Sequence, residues 1–134
     1  MAPLIVDTSG LYAVIDHTDQ NHQKAARFLR SLQEPGVLLV SNHVFDEALT
    51  LTKARLGIHV AMQLGLRLRN SRLIEQVIFS SAEEAATWRI FRKYRDKDWS
   101  YTDCACLALA QSRDVQQAFG FDHHFRQMGL QLLP

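Results

Sequence analysis

Short, wholly apolar runs alternate along this chain with longer stretches of helical periodicity, and this alternation restricts the fold more than any other feature. Residues 3–7 (PLIVD) and 37–40 (VLLV) lack the polar alternation of a half-exposed strand, which is typical of strands buried on both faces. Further strands are predicted over 72–79, 116–121 and 130–133. Strands that alternate with helices predict an α/β fold with a central, mainly parallel sheet covered on both faces.

The helices are predicted from apolar residues at helical spacing and from their capping residues. They cover 11–15 after a Thr8–Gly10 turn, 21–32, 43–56, 58–68, 81–94, and a stretch from Ser100 or Thr102 to about 111. Thr18 is the expected N-cap of the second helix, and Ser41 or Asn42 that of the third. Ser81 and Glu84 have the spacing of a capping box at the start of the fifth.

Length and composition predict an ordinary globular domain over residues 1–134. The chain is 47% apolar and 22% charged, and it contains no run of 18 apolar residues, so no membrane span is expected. The first residues lack a basic segment and a cleavage site, and are interpreted as mature structure rather than a signal peptide. Cys104 and Cys106 lie two residues apart in a predicted helix, where they cannot form a disulfide. A reduced, cytoplasmic setting is therefore expected.

Charge is nearly balanced overall but separated locally. The net charge of +1 gives no general preference for nucleic acid. However, a basic run at 89–97 contains Arg92, Arg95 and Lys97 beside the aromatic residues Trp88 and Phe91. Such a run is most often the solvated face of an amphipathic helix. The functional alternative is a rim that binds the phosphates of a nucleic acid next to an active site.

Four acidic residues fall where an α/β sheet places its ligands. Asp7 ends the first predicted strand and Asp122 follows a late one, and ligand sites lie at the carboxyl ends of strands. Glu47 and Asp103 occur in helices that should begin at the same edge. Each acid alone also fits a turn, a cap or a solvated helix face. Together, four converging carboxylates require a cation between them, and Mg²⁺ or Mn²⁺ suits oxygen ligands.

Other catalytic patterns are weak or absent. His123 and His124 follow Asp122 and could bind a transition metal, although a polar turn is the simpler interpretation. No GxxxxGK[ST], GxGxxG, GxSxG or HExxH pattern occurs, which disfavours P-loop, dinucleotide-binding, serine-hydrolase and zincin chemistry.

Four segments resemble the PIN-domain proteins of the VapC type, in family order and over essentially the whole chain. They are IVDTSGLYAVID, FDEALTLTKARLG, DKDWSYTDCACLALA and AFGFDHHFRQMGLQLLP. The resemblance implies a three-layer α/β/α fold in which Asp7, Glu47, Asp103 and Asp122 form the metal pocket and are the catalytic residues. Ser9 and Thr102 match hydroxyl positions that support the pocket, and Asp98 is an additional acid nearby.

The same resemblance implies a function. Family members are Mg²⁺- or Mn²⁺-dependent ribonucleases, and many are the toxin of a bacterial toxin–antitoxin pair. We therefore expect an RNA substrate, a cognate antitoxin and a homodimer, and the surface of the second to fourth helices is a candidate for either the antitoxin or the dimer interface. Arg92, Arg95 and Lys97 are candidates for contacting the RNA.

Two other functions are compatible with an acidic α/β domain. A receiver-like signalling domain also has an acidic Mg²⁺ pocket, but it requires adjacent acids after the first strand and a lysine after the last strand, and neither is present. A PIN-type scaffold that binds RNA or a partner without cutting is the second alternative. The complete acid set argues against the scaffold, but not against a PIN-type nuclease that processes RNA without being a toxin.

Overall fold

Five short strands form one sheet in the computed structural model, which describes residues 1–134. In chain order the strands are β1 (Leu4–Val6), β2 (Leu38–Ser41), β3 (Ile74–Val77), β4 (Gln117–Phe119) and β5 (Gln131–Leu133). Their order across the sheet is β3-β2-β1-β4-β5, and every neighbouring pair is parallel. The prediction of an α/β fold with a mainly parallel sheet is confirmed. A receiver-like domain has the order 2-1-3-4-5 instead, so that alternative is wrong.

The two strands predicted from the most apolar runs are central. β1 pairs with β2 through Leu4↔Leu38 and Ile5↔Leu39, and with β4 through Ile5↔Ala118 and Val6↔Phe119. All residues of β1 and β2 are buried, whereas the edge strand β3 buries only Val77. A strand with helices on both faces has no exposed face, and this explains why its sequence is apolar without alternation.

Seven helices connect the strands. They are α1 (Thr8–Ile15), α2 (His22–Arg30), α3 (Asn42–Leu56), α4 (Ile58–Asn70), α5 (Ser81–Lys93), α6 (Tyr101–Arg113) and α7 (His124–Gln127). Because crossovers between parallel strands are right-handed, the steps from β1 to β2 to β3 place α1 to α4 on one face. The step back from β3 to β4 places α5 and α6 on the other face. The result is the three-layer α/β/α arrangement.

Several predicted helix starts are wrong by one or a few residues. Thr8 to Gly10 are the first turn of α1 rather than a turn before it, and Asp7 is the N-cap. Thr18 does not cap α2, because its hydroxyl donates to Asp16 Oδ1 at 2.7 Å and the helix begins at His22. The capping box of α5 is formed by Ser80 and Glu83, one residue before the predicted pair.

The core lies on both sides of the sheet. A large apolar cluster surrounds β1, β2 and β4 and includes the fully buried Phe119 and Phe125. A smaller cluster between α5 and α6 contains Ile90, Trp99 and Leu107. Helix α1 approaches β4 so closely that a Cβ on Gly10 would lie 2.9 Å from Phe119, so a larger residue at position 10 would separate the two elements. No helix combines the length and the apolar character needed to cross a bilayer.

Candidate metal centre

The site lies at the point where the order of the strands reverses. β1 lies between β2 and β4, and the chain leaves β1 on one side and returns through β4 on the other, which opens a crevice at their carboxyl ends. Asp7 follows β1 directly, and the segment Gly120–Asp122 follows β4. The two strand-end acids therefore lie on opposite sides of the same crevice.

Acids from both helical layers complete this crevice. It is a cleft of about 420 Å³, and Glu47 on α3 and Asp103 on α6 line it together with Asp7 and Asp122. The structure thus brings the four predicted acids to one cavity from four separate segments of the chain. Ser9 and Asp98, predicted as supporting residues, also line the cleft.

Asp7 is buried and held by a serine two residues later. Its side chain is the N-cap of α1, and the Ser9 backbone N–H donates to Asp7 Oδ2 at 3.1 Å. The Ser9 hydroxyl donates to the same oxygen. Ser9 Oγ also accepts from the Phe121 backbone N–H at 2.9 Å, which ties the start of α1 to the segment after β4. Ser9 therefore fixes the Asp7 carboxylate relative to the strand that carries Asp122.

Gly120 allows this close approach. A Cβ at position 120 would lie 2.9 Å from Asp7 Cβ, a distance that real Cβ atoms essentially never show, and 3.0 Å from Ser9 Oγ, which is a very tight contact. The residue before the Phe121–Asp122 segment therefore has to be a glycine for the two sides of the cleft to meet.

Asp103 has two roles in the structure. It is the third residue of α6 and forms a capping box with Ser100, whose backbone N–H donates to Asp103 Oδ2 at 3.0 Å. The same carboxylate also contacts His124 Nδ1 at 3.0 Å, and His124 Nδ1 lies 3.3 Å from Asp122 Oδ1. The capping interpretation and placement in the acidic cleft are therefore both correct for Asp103. His124 joins it to Asp122.

Burial makes the charged forms of these acids costly. Burial is the main reason that the pKa of Asp7 rises from 3.8 to about 7; the charges of Asp103 and Asp122 raise it further, against the opposing hydrogen bonds from Ser9. Burial likewise raises the pKa of Asp103, although hydrogen bonds from Ser100 and His124 oppose the effect. No Lys or Arg forms an ion pair with either carboxylate within 4.0 Å. Asp7 and Asp103 therefore lie in the cleft without a Lys or Arg partner, and His124 is the basic side chain that contacts Asp103.

This donor set fits a hard divalent cation. The converging groups are carboxylate oxygens, which Mg²⁺ and Mn²⁺ prefer, and Asp7 Oδ1 has no hydrogen-bond donor from the protein. Both cysteines are unsuitable as ligands. Burial raises the pKa of Cys104 to about 11 and that of Cys106 well above its ordinary value, so neither is a thiolate near neutral pH.

The histidine pair lies closer to the acids than the sequence indicated. Asp122, His123 and His124 each place one potential ligand atom within 4.8 Å of the other two. However, His124 Nδ1 is already engaged with Asp103 and Asp122, and His123 is exposed. His124 therefore bridges Asp103 and Asp122 through Nδ1, whereas His123 Nδ1 lies 3.8 Å from Asp122 Oδ1 at the surface.

Other predicted residues lie outside this cleft. Thr102 lines a neighbouring groove that shares Glu47 with it. Arg92 and Arg95 form a separate exposed cluster with Arg89 and Lys93, and Lys97 lines neither place. The basic run is therefore a separate surface and does not line the acids.

The sequence prediction missed several lining residues. They are Tyr12, Asp19, Asn21 and Arg55, together with Leu51, which lies between Glu47 and Arg55 on α3. The spacing of Glu47, Leu51 and Arg55, four residues apart each time, was a usable signal, because such residues share one face of a helix.

The fold and this acidic cleft define a PIN domain. The PIN domain family model matches residues 4–130, so the chain belongs to the PIN-domain family. Nucleases of this family generally use a divalent metal.

Within the family, the chain is a homologue of a toxin endonuclease. It is 30% identical over 127 residues to the 23S rRNA-specific endonuclease VapC20 of Mycobacterium tuberculosis, with 94% of each chain covered. The crystal structure of that VapC20, a sarcin–ricin loop cleaving toxin, superposes with a TM-score of 0.86 and 26% identity over 95% of each chain. FitAcB from Neisseria gonorrhoeae shares the fold, with a TM-score of 0.70 and 17% identity over 98% of this chain and 96% of FitAcB.

Proposed function

We propose that this protein is a Mg²⁺- or Mn²⁺-dependent endoribonuclease that hydrolyses RNA phosphodiester bonds. One observation carries the proposal. Asp7, Glu47, Asp103 and Asp122 line one cleft, and Asp7 is 3% exposed without a basic partner. A cluster of acids that includes the buried Asp7 and Asp103 is stabilised by a divalent cation and serves poorly as a structural element without one. Homology to VapC20 supports the same activity.

The chain's own residues would hold and orient the reaction components. Asp7, Glu47, Asp103 and Asp122 are the proposed metal ligands and the catalytic residues. Ser9 fixes the Asp7 carboxylate through two hydrogen bonds, and His124 aligns Asp103 with Asp122. When bound, the metal supplies Lewis acidity and lowers the pKa of a coordinated water. We expect products with a 5′-phosphate and a 3′-hydroxyl.

The RNA would extend beyond the cleft. Arg92 and Arg95 belong to an exposed cluster with Arg89 and Lys93, which offers positive charge to phosphates away from the cut site. Lys97 lies in the same basic run, after the end of α5. These residues are proposed to add affinity rather than chemistry. Ribosomal RNA is the first substrate to test, because the relative VapC20 is 23S rRNA-specific.

The cellular role we propose is that of the toxin in a type II toxin–antitoxin pair. An apolar groove of about 270 Å³ between α1, α2, α4 and β3 is a suitable binding site for the antitoxin, with Arg30 and Arg67 at its rim. An apolar partner segment with acidic residues at its ends would be complementary to it. A cytoplasmic homodimer is part of the same proposal. A small reading frame beside the gene, encoding a protein with a DNA-binding N-terminus, is the expected genomic context.

Cleavage of RNA by the purified protein tests the activity. We expect Mn²⁺ or Mg²⁺ to support cleavage of 23S rRNA or of unstructured RNA, and EDTA and Asp7→Asn each to abolish it. Asp114→Asn is the matched control, because this exposed residue has φ of 53°, a conformation that asparagine tolerates, and it does not line the cleft. Binding of RNA without metal-dependent cleavage would favour the non-cutting scaffold. Cleavage by Asp7→Asn at the wild-type rate would refute the proposed site.

A further inference from the structure

One cationic side chain lies in the acidic cleft and has no role in the site described so far. The chain has 15 Lys and Arg residues, and among them only Arg55 lines the cleft. The cleft is also lined by six carboxylates, those of Asp7, Asp19, Glu47, Asp98, Asp103 and Asp122. A lone guanidinium among so many acids would ordinarily be paired with one of them.

The guanidinium of Arg55 is not paired with an acid. It forms no ion pair within 4.0 Å, although six of the chain's acids line the same cavity. Instead, its Cζ lies over the ring of Tyr12, 5.1 Å from the centroid. The Tyr12 ring is itself fixed, because the residue is 8% exposed and its hydroxyl donates to Asp16 Oδ2 at 2.7 Å. Arg55 is thus held by a cation–π contact that leaves its N–H donors without an anionic acceptor.

The position of Arg55 on its helix sets its distance from the metal ligands. Glu47, Leu51 and Arg55 follow one another at four-residue spacing on α3 and line the cleft from one face. Eight residues of α-helix span about 12 Å along the axis. Arg55 therefore lies near the end of the cleft that is remote from Glu47, beside α1.

We propose that Arg55 binds a phosphate of the RNA other than the one that is cleaved, and that Tyr12 holds the guanidinium in position for it. This inference rests on the proposed ribonuclease function. The planar guanidinium fork matches the geometry of phosphate oxygens and remains charged at all relevant pH values. An RNA strand in a cleft lined by acids is repelled, and a cation at the end of the cleft remote from Glu47 offsets that repulsion for a phosphate bound there.

This position implies a particular kinetic effect. A contact with a phosphate that does not react is equally strong in the ground state and in the transition state, so its loss raises KM and leaves kcat nearly unchanged. We expect Arg55→Ala to raise KM by about 10- to 100-fold, the range that loss of charge-assisted hydrogen bonds produces. Arg55→Lys keeps the charge without the fork, and an intermediate KM is expected.

Arg69 provides a matched control. Its Cζ lies 5.3 Å from the centroid of the Phe45 ring, so it makes the same kind of cation–π contact on α4, but it does not line the cleft. Arg69→Ala removes one positive charge and one cation–π contact, and we expect a wild-type KM. An equal rise of KM in both variants would overturn the proposal, because net charge alone would explain it.

Equilibrium binding separates this contact from a structural effect. Because Asp7→Asn is expected to abolish cleavage, the Kd of this variant for a short single-stranded RNA can be measured over a range of salt concentrations. Adding Arg55→Ala should weaken binding by about 10- to 100-fold and reduce the slope of log K against log salt by about 0.7, the value for one phosphate contact. Unchanged Kd and slope would overturn the proposal.

The outcome for Arg55 is distinguishable from the outcome for the proposed function. If the wild type cleaves RNA and Arg55→Ala has the wild-type KM, only the Arg55 assignment fails. If the wild type neither binds nor cleaves RNA, the proposed function fails and the Arg55 assignment with it. Stabilisation by Mn²⁺ supplies a further check on Arg55→Ala. Because the substitution removes a positive charge near the metal ligands, Mn²⁺ should stabilise the variant at least as much as the wild type. A variant whose cleft had collapsed would not be stabilised by Mn²⁺.

Discussion

Replacing Asp7 by asparagine should stabilise the metal-free protein while removing its response to metal. Asp7 is 3% exposed, and burial raises its pKa from 3.8 to about 7. Because the folded-state pKa is above the unfolded one, the folded state holds the proton more tightly. The folded protein therefore loses stability as the pH rises from about 4 to about 7 and the group ionises.

The size of the effect follows from the two pKa values. A pKa raised from 3.8 to about 7 corresponds to an upper limit of about 4 kcal/mol of destabilisation above pH ~7. Asparagine is neutral at every pH, and its amide oxygen accepts the Ser9 N–H bond, so Asp7→Asn removes this cost. The free energy of unfolding of Asp7→Asn minus that of the wild type should be near zero at pH ~4 and several kcal/mol at pH ~8.

Urea unfolding in EDTA measures this difference in the free energy of unfolding. Repeating the titration with Mn²⁺ measures how much the bound metal stabilises each protein. A metal at about 100 times its Kd should stabilise the wild type by about 2.7 kcal/mol. Asp7→Asn should show little of this gain, while the control Asp114→Asn should follow the wild type throughout. A pH-independent difference in EDTA, or equal stabilisation of wild type and Asp7→Asn by Mn²⁺, would refute the reasoning.

Three further predictions concern the groups around the acids. Gly120→Ala places a Cβ 2.9 Å from Asp7 Cβ, so we expect loss of RNA cleavage and of Mn²⁺ stabilisation while circular dichroism shows the fold retained. Ser100→Ala removes half of the capping box that Asp103 completes, which should lower the free energy of unfolding by about 1 kcal/mol in urea titrations. Cys106 is 1% exposed and its pKa is raised, so a thiol reagent should leave it unmodified in the native protein near neutral pH; fast labelling would contradict its burial.

The acidic residues could be predicted because their positions follow from local sequence. Asp7 ends an apolar run, and a strand that is buried on both faces leaves its next polar residue at the carboxyl edge of the sheet. The same argument holds for Asp122 after β4. The segments that carry Glu47 and Asp103 follow helix-capping serines, Ser41 and Ser100, which mark the helix starts at that edge.

Features that depend on tertiary contacts could not be predicted in this way. Ser80–Glu83 and Ser81–Glu84 both have capping-box spacing; the first pair forms the box, while Glu84 Oε1 lies 2.7 Å from His43 Nε2 on another helix, a contact that the local sequence does not show. Arg55 lies near the acids only because α3 packs against α1, where Tyr12 meets it.

The basic run shows the same limit. The sequence indicates a helix with Arg92 on its polar flank and Arg95 just after its end, but the direction of that flank depends on how α5 packs on α6. This packing turns the two arginines to a surface of their own, apart from the acidic cleft.

Anomalous diffraction from crystals grown with Mn²⁺ tests the central claim most directly, namely that acids from four segments share one divalent cation. We predict an anomalous peak in the cleft within bonding distance of oxygens of Asp7 and Asp103, with Glu47 and Asp122 bound directly or through water, and no such peak in Asp7→Asn crystals. A saturating Mn²⁺ soak that leaves the cleft without anomalous signal, or a peak bound only by His123 and Asp122, would contradict the account.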